Sequence, residues 1–228
     1  MKKILFMACL TAMVFVGASC TGKEGASSAK PLPADYFSYT LTDDGKGIVI
    51  QGFSSKVNDE FTEKLSNGYR RPTFSVLNIP SEIEGLPVKC IFTGNGLSLR
   101  GGAPWDSVII PDGVTLESGS GSSPTIFTKK LILGKNVQFP YSYVFSHLEE
   151  FVVPESVTEL GWYFYGTFTT AVIPDRIKEI NRSVFSYCNN LKEITFPDGI
   201  KIGEHASFPM ETLSVKTQQR LRELGYKK

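Results

Sequence analysis

Ala171-Val172-Ile173-Pro174-Asp175-Arg176-Ile177-Lys178-Glu179-Ile180-Asn181-Arg182-Ser183-Val184-Phe185-Ser186-Tyr187-Cys188-Asn189-Asn190-Leu191-Lys192-Glu193-Ile194-Thr195-Phe196-Pro197 opens and closes on the same mark: apolar, spacer, apolar, Pro. Upstream the mark recurs as Leu77-Asn78-Ile79-Pro80, Val108-Ile109-Ile110-Pro111 and Phe151-Val152-Val153-Pro154, and Leu131-Ile132-Leu133-Gly134 fills the remaining place with Gly for Pro. Successive marks begin 31, 23, 20, 20 and 23 residues apart. A near-constant period of this length is the signature of a solenoid or array, in which each copy is one structural unit. The long first interval holds Gly-rich and Ser-rich stretches.

Each copy carries the same inward set. Three residues after the mark's Pro or Gly comes an aliphatic side chain: Ile83, Val114, Val137, Val157, Ile177 and Ile200. Leu160 and Ile180 follow in their copies, and an aromatic arrives about eleven residues after the mark at Phe145, Phe164, Phe185 and Phe208. The period of two at the mark predicts a short strand, and the Pro behind it stops the ladder and turns the chain. The segment holding Phe145, Phe164 or Phe185 is too short for a full helix and reads as a turn or a single helical turn. Each copy is then one coil. A handful of inward side chains cannot offset the conformational entropy of ordering some twenty residues, so no coil folds alone. Stacking lets neighbouring strands form a parallel sheet and seals the open faces. A stack also needs closed ends. Tyr36 to Gln51 alternates as two strands joined at Asp43-Asp44-Gly45, and Thr212 to Tyr226 reads as a short amphipathic helix with Leu213, Leu221 and Leu224 inward and Gly225 as its stop.

The run Ile177 to Leu191 resembles the unit of the BspA-type leucine-rich repeat proteins, with its apolar, Ala-Phe, Cys and Leu positions in register and Val184 in place of the Ala. Ile79 to Val88 resembles the first repeat of such proteins, and Phe37 to Phe53 the hairpin that caps them. The resemblance extends over roughly residues 35–228. Three places depart from it: Gly134 for Pro, a shortened coil at Leu160 to Phe164, and Ile200-Lys201-Ile202, one residue tighter than usual. The resemblance implies a leucine-rich repeat solenoid, mainly β with short turns or helical turns, that binds proteins at the bacterial cell surface. Adhesion and attachment to host matrix proteins are known in that family.

The N-terminus reads as an address. Lys2 and Lys3 precede an apolar run from Ile4 to Ala18 that ends in Gly17, Ala18 and Ser19, the pattern of a secretory signal. A bilayer core needs about 20 apolar helical residues, more than this run supplies, so the segment predicts removal and not a permanent anchor. Cys20 directly follows the small residues, and here the sequence resembles a bacterial lipoprotein signal, in which that Cys is acylated and begins the mature chain. Such signals usually carry Leu where this one has Gly17, and cleavage after Ala18 or Ser19 without lipid is the alternative. Removing residues 1–19 takes away Lys2 and Lys3, and the formal charge falls by two, from +1 to −1. The domain reading is a signal peptide at 1–19, a flexible linker at 20–34, an N-terminal cap at 35–76, about six leucine-rich repeat coils at 77–210 and a C-terminal cap helix at 211–228.

With 24 basic and 23 acidic residues among 228, no excess of positive charge is present to grip a phosphate backbone, which argues against nucleic acid. Four Cys and two His give neither a disulfide-dense scaffold nor ligands at metal spacing, so no metal or other cofactor is expected. The Gly-rich stretches match no dinucleotide, P-loop or nucleophile-elbow pattern. Cys90 with His147, or Cys188 with His205, could in principle be a nucleophile and base. Cys188 lies where the coil turns and reads as a small buried side chain reaching backbone groups, and the two His fall at variable positions. No catalytic residue is assigned.

Aromatic density is the one feature above background. Tyr141, Tyr143, Trp162, Tyr163, Tyr165 and Tyr187 flank the Phe positions in three successive coils. Aligning Phe145 with Phe164 puts Tyr143 and Trp162 at equivalent sites, so their rings would line one side of the rod. Such a row makes an apolar platform with hydroxyl edges, suited to a protein or glycan partner. The alternative is that the rings finish the packing of wide coils, and exposure decides between the two. The combined reading is an exported, lipid-anchored binding protein of the outer membrane or cell surface with a host matrix protein or glycan as partner. An envelope scaffold for another bacterial protein is the alternative, and an envelope enzyme the remote one.

Overall fold

The computed structural model of the chain describes residues 30–227, apart from 67, 69, 94–96, 98–102, 118–124, 140–143, 154, 156 and 161–162. It opens with the hairpin of β1 (Phe37–Leu41) and β2 (Ile48–Phe53). The turn between them rests on Gly45, whose φ of +67° suits glycine, and on Asp44, whose carboxylate accepts from the Thr42 hydroxyl (2.6 Å) and the Lys46 N–H (3.0 Å). Those two bonds, the Thr42 one first, hold the Asp44 carboxyl below its usual pKa. This is the hairpin expected between Tyr36 and Gln51.

Three elements after the hairpin have no counterpart in the repeat: α1 (Ser55–Glu60) and the small antiparallel pair β3 (Thr62–Lys64) and β4 (Arg70–Pro72). An aromatic plug is built from residues flanking them, from the hairpin and from β8. Tyr36 meets Phe61 at 4.8 Å, Phe74 stacks on Trp105 at 5.8 Å, and Phe53 tilts against Trp105 at 6.0 Å. Trp105 is fully buried, and its indole N–H donates to Leu97 O at 2.9 Å, so the one polar atom of the ring is satisfied.

Beyond the plug the coils stack. The marks fall in β5 (Val76–Asn78), after which β6 (Glu82–Ile83) and β7 (Leu86–Phe92) fold as a tight pair, then in β8 (Trp105–Ile110). After β9 (Thr115–Glu117) the third mark lies in β10 (Thr125–Leu133). Leu77 pairs in parallel with Val108, and Val108 with Leu131. Pro80, Pro111 and Gly134 each come two residues after the mutual partners Asn78, Ile109 and Ile132, so they line up rung above rung. After β11 (Val144–Leu148) and β12 (Tyr163–Gly166), the last marks lie in β13 (Thr170–Val172) and, beyond β14 (Glu179–Ile180), in β15 (Glu193–Thr195). There Val172 pairs with Thr195, and Pro174 and Pro197 are again in step. The mark at Phe151–Val153 forms no strand. The short β16 (Lys201–Ile202) pairs with β14, while β2, β7 and β9 form a second parallel ladder that joins the hairpin to the stack.

The six aliphatic side chains three residues behind the marks are all buried. So is the Phe column: Phe145, Phe164, Phe185 and Phe208 stack in sequence with ring centroids 5.6, 6.3 and 6.1 Å apart, interplanar angles staying between 20° and 24°. Ile126 heads the column as Phe145's ladder partner. One expectation needs correction. Phe145 and Phe164 sit in strands and not in turns, because Val144-Phe145 and Tyr163-Phe164-Tyr165 are β-forming runs that bond to each other and to the first residues of β10. Phe185 does lie in a turn, closed by Cys188 N–H to Phe185 O at 3.0 Å. At the far end α2 (Val215–Glu223) is capped by Ser214, whose hydroxyl accepts from Thr217 N–H, and buries Leu221. Tyr226 closes the column edge-on to Phe208 at 5.1 Å.

Gly134 replaces Pro for a local reason. Its N–H donates to Ile110 O at 2.7 Å, which proline lacks, and a Cβ there would collide with Asp112 N and the Pro111 carbonyl carbon. We therefore expect Gly134→Ala to cost about 1–3 kcal/mol by overpacking. Phe185→Ala, which breaks the column in the middle, should cost about 3–5 kcal/mol. Urea unfolding followed by circular dichroism measures both.

Candidate binding face

Strand alternation fixes which side chains look outward beside the Phe column. Ile126, Phe145 and Phe164 point inward, so their neighbours Phe127, Ser146 and Tyr165, which are mutual ladder partners, point to the outer side, where Phe127 and Tyr165 are half-buried and Ser146 is covered. At the middle rung the register breaks between Ser146 and Leu148, and His147 is the extra residue. Its φ of +68° is left-handed, a conformation costing a non-glycine residue roughly 1–2 kcal/mol, though His tolerates it better than most. The bulge turns an exposed imidazole out beside Phe127, with ring centroids 5.8 Å apart, and Ser146 Oγ lies 2.9 Å from His147 Nδ1. One rung on, Tyr165 and Tyr187 stack at 4.6 Å and 12°. Tyr187 remains 52% exposed, so this pair is surface and not interior packing.

The result is an outer row of Phe127, His147, Tyr165 and Tyr187, one ring per rung, alongside the buried Phe column. Stacking covers one face of each ring of the Tyr165–Tyr187 pair, and the phenol oxygens are its polar groups. Such a row can pack against apolar or aromatic groups and hydrogen-bond at its rim.

Of the six aromatic residues singled out in the sequence, Tyr165 and Tyr187 lie together in the stacked pair. Of Tyr163 only the backbone, paired with Val144, is described. Tyr141, Tyr143, Trp162 and Cys20 lie outside the described residues. Phe127 and His147 were not anticipated. The alternation from buried Ile126 would have revealed Phe127, whereas nothing in the sequence marks the bulge at His147.

The cysteine and histidine pairs do not assemble. Cys188 is fully buried and its Sγ donates to Phe164 O at 3.1 Å, tying one coil's turn to the preceding strand. Burial pushes its thiol up to about 12. Burial, and then the nearby Glu117 carboxylate, push Cys90 to about 11. Among the described residues no hydrogen bond joins either thiol to an imidazole, and His205 is exposed beside Glu204 at 3.2 Å. No group of three His, Cys, Asp or Glu among the described residues could hold a metal ion. An open groove of about 880 Å³ carries both signs of charge, with Lys178 and Arg182 beside Glu159 and Glu179. Arg176 at its edge is fixed by donating to Val157 O (3.0 Å) and Val153 O (2.7 Å).

Residues 125–227 match the family described as the BspA type leucine-rich repeat region, in six copies. The structure is similar to the crystal structure of a leucine-rich repeat protein from T. pallidum, with a TM-score of 0.53 and 18% sequence identity over 87% of this chain and 97% of that one. At that identity the likeness is one of fold alone. The comparison with curated proteins gives no match.

Tyr187→Ala is expected to leave the unfolding midpoint nearly unchanged, since surface substitutions stay within about 0.5 kcal/mol. The thiols supply a pH test. Their folded pKa values lie above the ordinary 9.0, so the unfolded chain loses its protons first as pH rises. Stability owed to the protonated thiols is intact below about pH 9 and falls between there and about 11 to 12. Cys188→Ser should lessen that alkaline loss in pH-dependent urea titrations.

Proposed function

With residues 125–227 forming a BspA-type leucine-rich repeat region, we propose that the chain is an exported, lipid-anchored binding protein of the bacterial envelope, which meets a protein or glycan partner through the outer aromatic row. Repeat scaffolds of this kind typically bind proteins, and BspA-type repeat proteins are typically surface-associated in bacteria. The observation that carries the reading is the stacked pair of half-buried Tyr165 and exposed Tyr187 on the outside of the solenoid. Adhesion to host matrix proteins is the form this binding takes in the reading.

The N-terminal address supports it. Lys2, Lys3, the apolar run to Ala18 and Cys20 give export and a lipid anchor; the tether that holds the solenoid off the membrane is shorter than the linker read at 20–34, because Leu32 N–H donates to Asn78 O at 2.9 Å and Leu32 and Ala34 pack on the core. Among the described residues no helix is long and apolar enough to cross a membrane.

Protease shaving of intact cells separates the outward role from a periplasmic scaffold: an adhesin is digested, a scaffold is spared. Purified protein should bind at least one member of a panel of immobilised matrix proteins and glycans at micromolar concentration. The pair Tyr187→Ala and Tyr165→Ala should weaken that binding about ten-fold or more, as aromatic contacts at an interface centre do. Protection from shaving, together with capture of an envelope protein and none of the matrix panel, assigns the scaffold role instead.

A further inference from the structure

The N-terminal hairpin leaves one edge of its sheet open. The strand order is β1–β2–β7–β6, so β1 has a neighbour on one side only. Successive residues of a strand turn their main-chain groups to opposite sides. Thr42 N–H donates to Gly47 O at 2.9 Å and Tyr36 O accepts from Ser54 N–H at 2.9 Å, so the even-numbered residues of β1 face β2. Tyr39 pairs with Ile50 and Ser38 with Gly52, which puts the extra residue of this bulge in β2 and keeps the alternation of β1 intact. Phe37, Tyr39 and Leu41 therefore turn their main chain outward. Phe37 N–H is spent on Ala34 O. The Phe37 carbonyl and both main-chain groups of Tyr39 and of Leu41 have no protein partner among the described residues.

Elsewhere the chain closes such edges itself. Leu32 N–H donates to Asn78 O beside β5, Leu116 N–H to Gln138 O beside β9, Phe164 N–H to Val184 O beside β12, and Ser214 N–H to Lys192 O beside β15. An open edge that stays single is normally guarded by a charged side chain or a proline. Phe37-Ser38-Tyr39-Thr40-Leu41 has neither, and Leu41 is 57% exposed.

The open groups complement themselves. Two β1 strands laid antiparallel around a two-fold axis at Tyr39 exchange both Tyr39 bonds, N–H to C=O in each direction. Each Leu41 N–H then meets the Phe37 carbonyl of the other copy. The one donor missing from the set, Phe37 N–H, falls opposite the Leu41 carbonyl at the strand end, where water reaches it. On one face the exposed Leu41 comes beside Phe37 of the second copy. On the other face Ser38 stands opposite Thr40, so no like charges meet. Asp35, already paired with Lys56, and Asp43 lie beyond the paired stretch. We propose that β1 pairs with β1 of a second copy of this chain, joining the two N-terminal sheets into one across a two-fold axis at Tyr39. A contact of this symmetry requires a patch that matches itself, and β1 does so in bond phase, side chains and charge. Five residues a side make a small interface, so the pair forms and separates readily. This edge is separate from the aromatic row and does not depend on it.

The register supplies the test. In the proposed pair Ser38 and Thr40 of the second copy are directly opposite at a non-hydrogen-bonded position, where Cα atoms come close enough for a disulfide, whereas Ser38 meets Ser38 only across a diagonal too long for one. Full-length Ser38→Cys and Thr40→Cys proteins, mixed under mild oxidation, should give a cross-linked dimer, and either alone should give about five-fold less or none. Without oxidation, hydrogen exchange at the Tyr39 amide should slow as the protein concentration rises towards about 1 mM, while the Thr40 amide, which faces β2, stays unchanged. Ser38→Lys with Thr40→Lys sets like charges opposite each other and should abolish that concentration dependence. Ser38→Glu with Thr40→Lys sets opposite charges there and should strengthen it, and Tyr187→Ala should leave it intact. No cross-link in the mixture, cross-linking by each variant alone as strong as in the mixture, a Tyr39 amide indifferent to concentration, or a double Lys variant that associates like the parent protein would overturn the proposal.

Discussion

The fold depends on one constraint: a coil of about twenty residues has no interior of its own and acquires one only from the coils above and below it. Hydrogen bonds between residues 19 to 24 apart carry this, among them Thr167 N–H to Leu148 O and Gly134 N–H to Ile110 O. The Phe column adds a continuous apolar spine, and Cys188 fastens the turn around Phe185 to the strand carrying Phe164. Because every contact of this kind is between neighbours, stability is closer to a chain of nearest-neighbour couplings than to one central core. The two ends are then special, and the protein closes them differently. An aromatic cluster around Trp105 fills the first, and a helix with a tyrosine behind it covers the second.

What repeats could be read from the sequence. The marks, the aliphatic positions behind them and the Phe positions recur at fixed offsets, and their ladder register follows once those offsets are aligned. What does not repeat was harder to see. Between Ser55 and Pro72 no mark appears, so α1 and the β3–β4 pair had no template, and the plug beside them joins residues as distant as Tyr36 and Phe74. The strands at Phe145 and Phe164 were hidden for another reason. A segment of four or five residues reads equally as turn or strand until its neighbour is known, and here the neighbour is the β-rich start of β10. Gly134 was visible as a departure, but its cause, the close approach of Asp112 from the previous coil, is a contact across 22 residues.

The binding face divides along the same line. Tyr165 and Tyr187 follow their buried Phe residues at different offsets, one and two, so the sequence puts both beside the column without pairing them. His147 enters the row through a one-residue bulge, and a bulge is a local change of register with no compositional signature. The pairing of Cys with His, plausible from composition, fails because the same repeat that aligns the Phe column puts Cys188 inside and His205 outside.

Tyr226 has an implication for how such an architecture lengthens. Its hydroxyl accepts from Phe208 N–H at 3.3 Å while its ring abuts the last phenylalanine, so the terminal segment is fitted to one particular final rung. An extra copy appended after it would have to pry this stopper loose and expose the spine. A duplication placed between two interior rungs meets identical surfaces above and below and disturbs neither end. Gain and loss of copies in proteins built this way should consequently accumulate mid-stack, with both terminal closures kept as a matched set.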